Sequence, residues 1–148
     1  MKFAFRGSVY PGDANLTDSF MEEGLREIQP LVGRRWRAVK FDEVVDASGA
    51  LIWLSPEAFR YYLPSYLIVA VLVGGVTQRA EGAIRVMIFK LTRPTNPKSR
   101  GGFDRSMRYF SVEQKVVIRK VLEYLIKSDL GVFANVALNS YWRQIQLS

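Results

Sequence analysis

The chain has 148 residues, of which 49% are hydrophobic and 24% charged, a composition that indicates one globular domain and excludes an intrinsically disordered chain. It contains no cysteine and no histidine, which excludes disulfides, Cys–His and Ser–His catalytic pairs and the usual zinc ligands. The net charge of +7, from 21 basic and 14 acidic residues, favours an acidic partner.

Residues 1–13 are predicted to be an irregular lead-in, with a short apolar stretch that is interrupted at once. This argues against a secretory signal, and the absence of cysteine is typical of a reducing compartment, so we expect a cytoplasmic location. A first helix is predicted from Thr17 or Asp18, either of which can cap it, to Pro30. Its apolar stripe would consist of Leu16, Phe20, Met21, Leu25 and Ile28.

Arg34, Arg35 and Arg37 surround Trp36 and form a basic cluster. One interpretation is contact with an anion or nucleic acid, in which the ring stacks on a base and the arginines bind phosphate. In the other, Trp36 packs in the core with Val39 while the arginines pair with the acidic residues that follow. We favour the second interpretation. A short helix is predicted next, over 41–47.

A brief apolar link over 50–54 is predicted to lead into the central element, a helix over 56–73, which Ser55 caps, Pro56 begins and Gly74-Gly75 ends. Apolar and aromatic residues cover most of its circumference, so we expect it to be buried on most sides. The apolar run is shorter than the ~20 residues that a membrane span needs, so no membrane association is predicted. Pro64 lacks an amide hydrogen and should kink or break the helix.

Three tyrosines, Tyr61, Tyr62 and Tyr66, surround this proline, and their hydroxyls need hydrogen-bond partners if they are buried. They could form a small pocket, but an aromatic belt in a helical core is favoured. Residues 78–91 fit both strand alternation and helical spacing. The helical neighbours on both sides favour a helix, which Pro94 ends.

Residues 92–108 are predicted to be a long basic loop, because they contain two prolines, two glycines and five basic residues against one acidic residue. Long loops in compact domains are often functional, so an anion-binding or partner-binding role and a merely solvated loop are equally favoured. The candidate partner-binding residues in this segment and in the earlier cluster are Arg34, Arg35, Arg37, Arg93, Lys98, Arg100, Arg105 and Arg108.

Two further helices complete the predicted fold. Ser111 and Gln114 have the spacing of a capping box at the start of an amphipathic helix. A last helix over about 132–144 should close the core with most of its apolar residues. These residues are Phe133, Val136, Ala137, Tyr141 and Trp142.

Motifs that carry enzymatic chemistry are absent, including G-x-S-x-G, G-x-x-x-x-G-K-[ST], G-x-G-x-x-G and H-E-x-x-H. The densest acidic cluster consists of Asp42, Glu43 and Asp46, of which only two share a helix face, too few for a hard-cation site. We therefore predict no catalytic residue, no metal ligand and no cofactor.

Several segments resemble a family of small bacterial proteins known mainly as a domain of unknown function. The matching residues are Ala4-Phe5, Trp36, Leu54–Leu67 in an LSxEAFRYYLPxYL pattern, Leu91–Pro94, and Phe110–Leu125 in an FSxxQxxxIxxxLxYL pattern. The resemblance implies an all-helical cytoplasmic domain and assigns no catalytic residue.

The sequence thus predicts a single all-α domain of five or six helices around the helix at 56–73. The leading functional hypothesis is a non-enzymatic binding protein of the immunity type, which neutralises a bacterial toxin by covering its active site. The second hypothesis is a nucleic-acid-binding protein that uses the basic clusters. The third is an enzyme that acts through tyrosine and arginine.

Overall fold

The structure is a computed structural model, and it describes residues 2–72 and 78–147. These residues form nine α-helices and no strand, which confirms the predicted all-α single domain, although five or six helices were predicted. The helices are α1 (Lys2–Phe5), α2 (Glu22–Ile28), α3 (Phe41–Asp46), α4 (Ala50–Trp53), α5 (Pro56–Leu72), α6 (Glu81–Lys90), α7 (Pro97–Met107), α8 (Val112–Leu125) and α9 (Gly131–Ser140). Short 3-10 turns lie at Asp13–Asn15, Gln29–Leu31, Trp36–Ala38 and Trp142–Gln144.

Helix α5 is the centre of the molecule, and α1, α3, α6, α7 and α8 all pack against it. Ser55 caps it as predicted, since its Oγ accepts the amide hydrogen of Ala58 at 3.2 Å. The helix passes through Pro64 without a break, and most of its side chains are buried. Its predicted last residue, 73, and the Gly74-Gly75 pair predicted to end it lie outside the described residues.

The tyrosines of α5 form an aromatic belt in the core, as the sequence favoured. The hydroxyls of Tyr62 and Tyr66 donate to the carbonyl oxygens of Leu31 and Ala47, both at 2.6 Å. Tyr61 is buried against Tyr62, with ring centroids 4.9 Å apart. Burial raises the pKa of Tyr62 and of Tyr66, so both phenols stay protonated as donors at neutral pH.

The first predicted helix begins later than expected. Helix α2 starts at Glu22, too far along the chain for Thr17 or Asp18 to cap it, and the Thr17 hydroxyl donates instead to the carbonyl of Trp53. Leu16 is buried and its carbonyl accepts the amide hydrogen of Ser55 at 2.8 Å. The segment between Leu16 and α2 is therefore fixed against the start of α5, and the predicted stripe is wrong at Phe20, which is 97% exposed.

Three predictions about irregular segments are corrected. The predicted loop at 92–108 is wrong, because Pro97–Met107 is the helix α7. Asn96 caps α7 by accepting the amide hydrogen of Lys98 at 2.9 Å, and burial of Phe103 and Met107 stabilises the helix despite its two glycines. Within the lead-in, Lys2–Phe5 is helical, and the apolar segment before Ser55 contains the short helix α4.

The other predicted helices are confirmed, including α3 over Phe41–Asp46 and α6 at the ambiguous segment 78–91. The capping box of α8 is present, since Ser111 and Gln114 exchange hydrogen bonds of 3.0 and 3.1 Å. None of the helices in the described ranges is both long enough and apolar enough to cross a membrane.

The last predicted helix is shorter than expected, because α9 ends at Ser140 and a 3-10 turn follows it. Trp142 in that turn is buried, and its indole nitrogen donates to the carbonyl of Leu91 at 2.7 Å. Phe133 and Val136 do not close the core, since they are 45% and 52% exposed. They face a groove instead.

Candidate functional site

The predicted basic residues of the segment 92–108 lie on α7 or just beside it. They are Arg93, Lys98, Arg100, Arg105 and Arg108. Lys98, Arg105 and Arg108 are exposed, and they lie on the side of the helix opposite its buried Phe103. We call these three residues the α7 basic face. Hydrogen bonds within the protein restrict the other two arginines, Arg93 and Arg100.

Arg93 binds Asp104 with both Nε and Nη2, each at 3.0 Å, and Arg100 donates to the carbonyl of Thr95 at 3.0 Å. The hydrogen bonds from Arg93 hold the pKa of Asp104 below its usual value, and the charges of Arg100 and Arg108 lower it further. Asp104 is thus an ionised carboxylate inside a cationic region, and Arg93 has a structural partner already.

The earlier cluster is on a different part of the molecule. Trp36 is only 4% exposed, and its backbone carbonyl accepts a hydrogen bond from the Ser65 hydroxyl of α5 at 2.7 Å. Arg34 pairs with Glu43, and Arg37 lies over the Trp36 ring, with its guanidinium carbon 5.4 Å from the ring centroid. These contacts agree with the core interpretation of the cluster.

Arg35 and Arg37 remain exposed, and in the described part of the chain no hydrogen bond or ion pair joins residues 34–37 to α7. The structure therefore brings five of the eight predicted residues together, at α7, and leaves Arg34, Arg35 and Arg37 as a separate group.

Sequence reasoning missed an apolar groove of about 860 Å³ that lies between α6, α7 and α9. Its residues are Phe59, Arg85, Ile88, Phe89, Lys90, Thr92, Pro94, Ser99, Gly102, Phe103, Ser106, Val132, Phe133 and Val136. The available signal was an excess of apolar residues on α6 and α9 beyond those that one buried stripe requires.

Of the described residues that line this groove, two are cations and none is acidic. Arg85 pairs with Glu81 at 3.1 Å and lies over the Phe133 ring, 5.0 Å from its centroid. Lys90 lies half-buried over the Phe59 ring, with its Nζ 5.5 Å from the centroid. Burial lowers the pKa of Lys90.

Among the described residues, no group of three or more Asp and Glu side chains is placed to hold a metal ion. The arrangement that the chain does offer is a cationic helix face beside an apolar groove, which is suited to binding.

Residues 8–146 match the model of a family described as a family of unknown function (DUF6714). The chain belongs to this family. The match confirms the resemblance to a domain of unknown function and spans α2 to α9 as well as the groove. Neither the curated proteins nor the solved structures gave a match.

Proposed function

We propose that this member of the family is a non-enzymatic protein-binding domain that acts in the cytoplasm as an immunity-type protein, binding a bacterial toxin and covering its active site. The observation that carries the proposal is the α7 basic face, formed by Lys98, Arg105 and Arg108. Three exposed cations, two on one short helix and one directly after it, attract an acidic protein surface and speed association with it.

The rigidity of α7 supports this role. Phe103 and Met107 bury the inner side of the helix, and the Arg93–Asp104 pair connects its second half to the segment that follows α6. A surface held in one conformation loses less conformational entropy on binding than a flexible loop does.

The buried tyrosines support a non-enzymatic role. Tyr62 and Tyr66 donate their hydroxyl hydrogens to backbone carbonyls, and burial raises the pKa of both. A phenol with a raised pKa is a poor general base at neutral pH. These two side chains therefore serve the core.

Binding of nucleic acid is the second candidate, and it depends on Arg35, Arg37 and the α7 basic face. The buried ring of Trp36 cannot stack on a base without leaving the core, and Arg34 is paired with Glu43. Both contacts weaken this candidate relative to a protein partner.

The test is to mix the purified chain with the product of the gene next to its own, and to measure the complex by calorimetry at low and high salt. We expect a one-to-one complex that weakens as salt rises and that abolishes the toxicity of the partner. No complex, or a complex without protection, would contradict the proposal. Salt-dependent binding to DNA or RNA oligonucleotides instead would support the second candidate.

A further inference from the structure

The groove between α6, α7 and α9 has an exposed apolar lining. Phe89 and Val132 are 68% and 75% exposed, and Phe133 and Val136 lie beside them on α9. Soluble monomers rarely expose so many large apolar side chains at one place without a binding role. The volume of about 860 Å³ is within the range of small-molecule sites in proteins.

The charged residues of the groove indicate the sign of the charge that its ligand carries. The charged residues in its described lining, Arg85 and Lys90, are both cations, and Glu81 already neutralises Arg85. The ammonium group of Lys90 forms no hydrogen bond or ion pair with any described residue, and its contact is the face of the Phe59 ring. A half-buried ammonium without a counter-ion favours an anionic group beside it.

The number of free cations indicates the charge of that group. Lys90 is a single point charge, and the guanidinium of Arg85 is engaged, so a head group with one negative charge fits better than a doubly charged phosphate. Ser99, Gly102 and Ser106 of α7 line the groove, whereas Lys98, Arg105 and Arg108 do not. The α7 basic face borders the groove, because Lys98 and Arg105 are the i, i+4 and i, i+3 neighbours of Gly102, but its residues are not part of the lining.

We propose that the groove binds a free amphiphilic carboxylate of the fatty-acid class, with its hydrocarbon chain along Phe89, Phe103 and Phe133 and its carboxylate on Lys90. The aromatic and aliphatic side chains of the groove remove the hydrocarbon chain of the ligand from water. The ammonium group of Lys90 donates a charge-assisted hydrogen bond to the carboxylate. The lowered pKa of Lys90 fits this arrangement, because a bound anion would offset the cost of burying the ammonium group.

Calorimetry with dodecanoate, below the concentration at which it forms micelles, tests the proposal. We expect saturable one-to-one binding of dodecanoate and no comparable binding of dodecyltrimethylammonium, which has the same chain and the opposite charge. Lys90→Met should weaken dodecanoate binding by on the order of tenfold or more and leave dodecanol binding unchanged. Lys120→Met, at an exposed lysine of α8 outside the groove, is the control.

Two neighbouring glycines of α7 give a matched pair of blocking variants. A Cβ at Gly101 or at Gly102 meets no atom within 4 Å, so a side chain at either position starts in open space, but of the two only Gly102 lines the groove. Gly102→Leu should abolish binding of dodecanoate and dodecanol, and Gly101→Leu should bind both as the wild type does. Circular dichroism checks that each variant is folded.

Several outcomes would overturn the proposal. These are no saturable binding of dodecanoate, equal binding of the cationic amphiphile, unchanged dodecanoate affinity in Lys90→Met, or equal effects of the two glycine substitutions. Light scattering adds one more, because a wild-type dimer that Gly102→Leu dissociates would mean that a second copy covers the groove. The proposal does not depend on the protein partner, so it stands or fails separately from the proposed function.

Discussion

Arg93 and Asp104 are joined by two parallel hydrogen bonds, Nε to Oδ1 and Nη2 to Oδ2, each 3.0 Å long. The pair connects the segment after α6 to the second half of α7, and it neutralises the one acidic residue of 92–108. Among the described cations of 92–108, those whose side chains form no hydrogen bond or ion pair are therefore the three of the α7 basic face. The same pair makes the stability of the fold depend on pH.

Asp104→Asn should destabilise the protein at neutral pH, and the loss should shrink in acid. The pKa of Asp104 is lowered in the folded state, chiefly by its hydrogen bonds with Arg93, whereas in the unfolded state it is about 3.9. The stabilisation is thus present above pH about 4 and is lost as the pH falls through the folded-state pKa. Urea unfolding of both proteins at several pH values measures it. Asp129→Asn, at an exposed carboxylate, should show little change, and a pH-independent loss in Asp104→Asn would contradict the assignment.

Tyr66→Phe should destabilise the fold by about 1–2 kcal/mol, because it removes a buried hydroxyl and leaves the carbonyl of Ala47 without that donor. Urea unfolding measures the change in the free energy of unfolding. Tyr124→Phe is the matched control, since Tyr124 is 46% exposed, and it should change stability by less than about 0.5 kcal/mol. Equal effects at the two positions would show that the Ala47 contact does not contribute.

Alkaline unfolding should involve Tyr62 and Tyr66. Burial raises the pKa of both in the folded state, so the unfolded state loses these protons first as the pH rises above about 10. Their contribution to stability is complete below that pH and declines above it. Phenolate absorbance and circular dichroism, followed together against pH, should show these tyrosines ionising as the helices unfold. Full ionisation of all tyrosines before any loss of helix would be inconsistent with this burial.

Gln114→Ala should cost about 2 kcal/mol of stability. Gln114 is 3% exposed, its Oε1 accepts the amide hydrogen of Ser111, and its Nε2 donates to the carbonyl of Ala4 at 2.9 Å. The substitution removes a helix cap and the hydrogen bond to α1. Thermal unfolding measures the loss, with Gln144→Ala at an exposed position as the control. A variant as stable as that control would rule out the dual role.

Gln114 also illustrates what the sequence could predict. Its capping box with Ser111 depends on a spacing of three residues and was predicted, as was the Ser55-Pro56 start of α5. Its bond to Ala4 joins residues 110 apart in the chain, and no local pattern contains that information.

The errors have a similar origin. Pro97 was counted with Gly101 and Gly102 as a loop signal, although proline is favoured in the first turn of a helix and burial of Phe103 and Met107 offsets the low helix propensity of the glycines. The groove was missed because it forms only where α6, α7 and α9 meet. The sequence therefore predicted one part of the candidate site, the basic residues of 92–108. The structure shows that Lys98, Arg105 and Arg108 among them lie on the side of α7 opposite Phe103.

The most direct test of the proposed function is a growth assay in cells that express the neighbouring toxin gene together with this protein. We expect the wild type and Lys120→Glu to protect the cells. We expect the triple variant Lys98→Glu, Arg105→Glu, Arg108→Glu to fold normally by circular dichroism and to fail to protect them. Full protection by the triple variant, or no protection by the wild type, would contradict the proposed function.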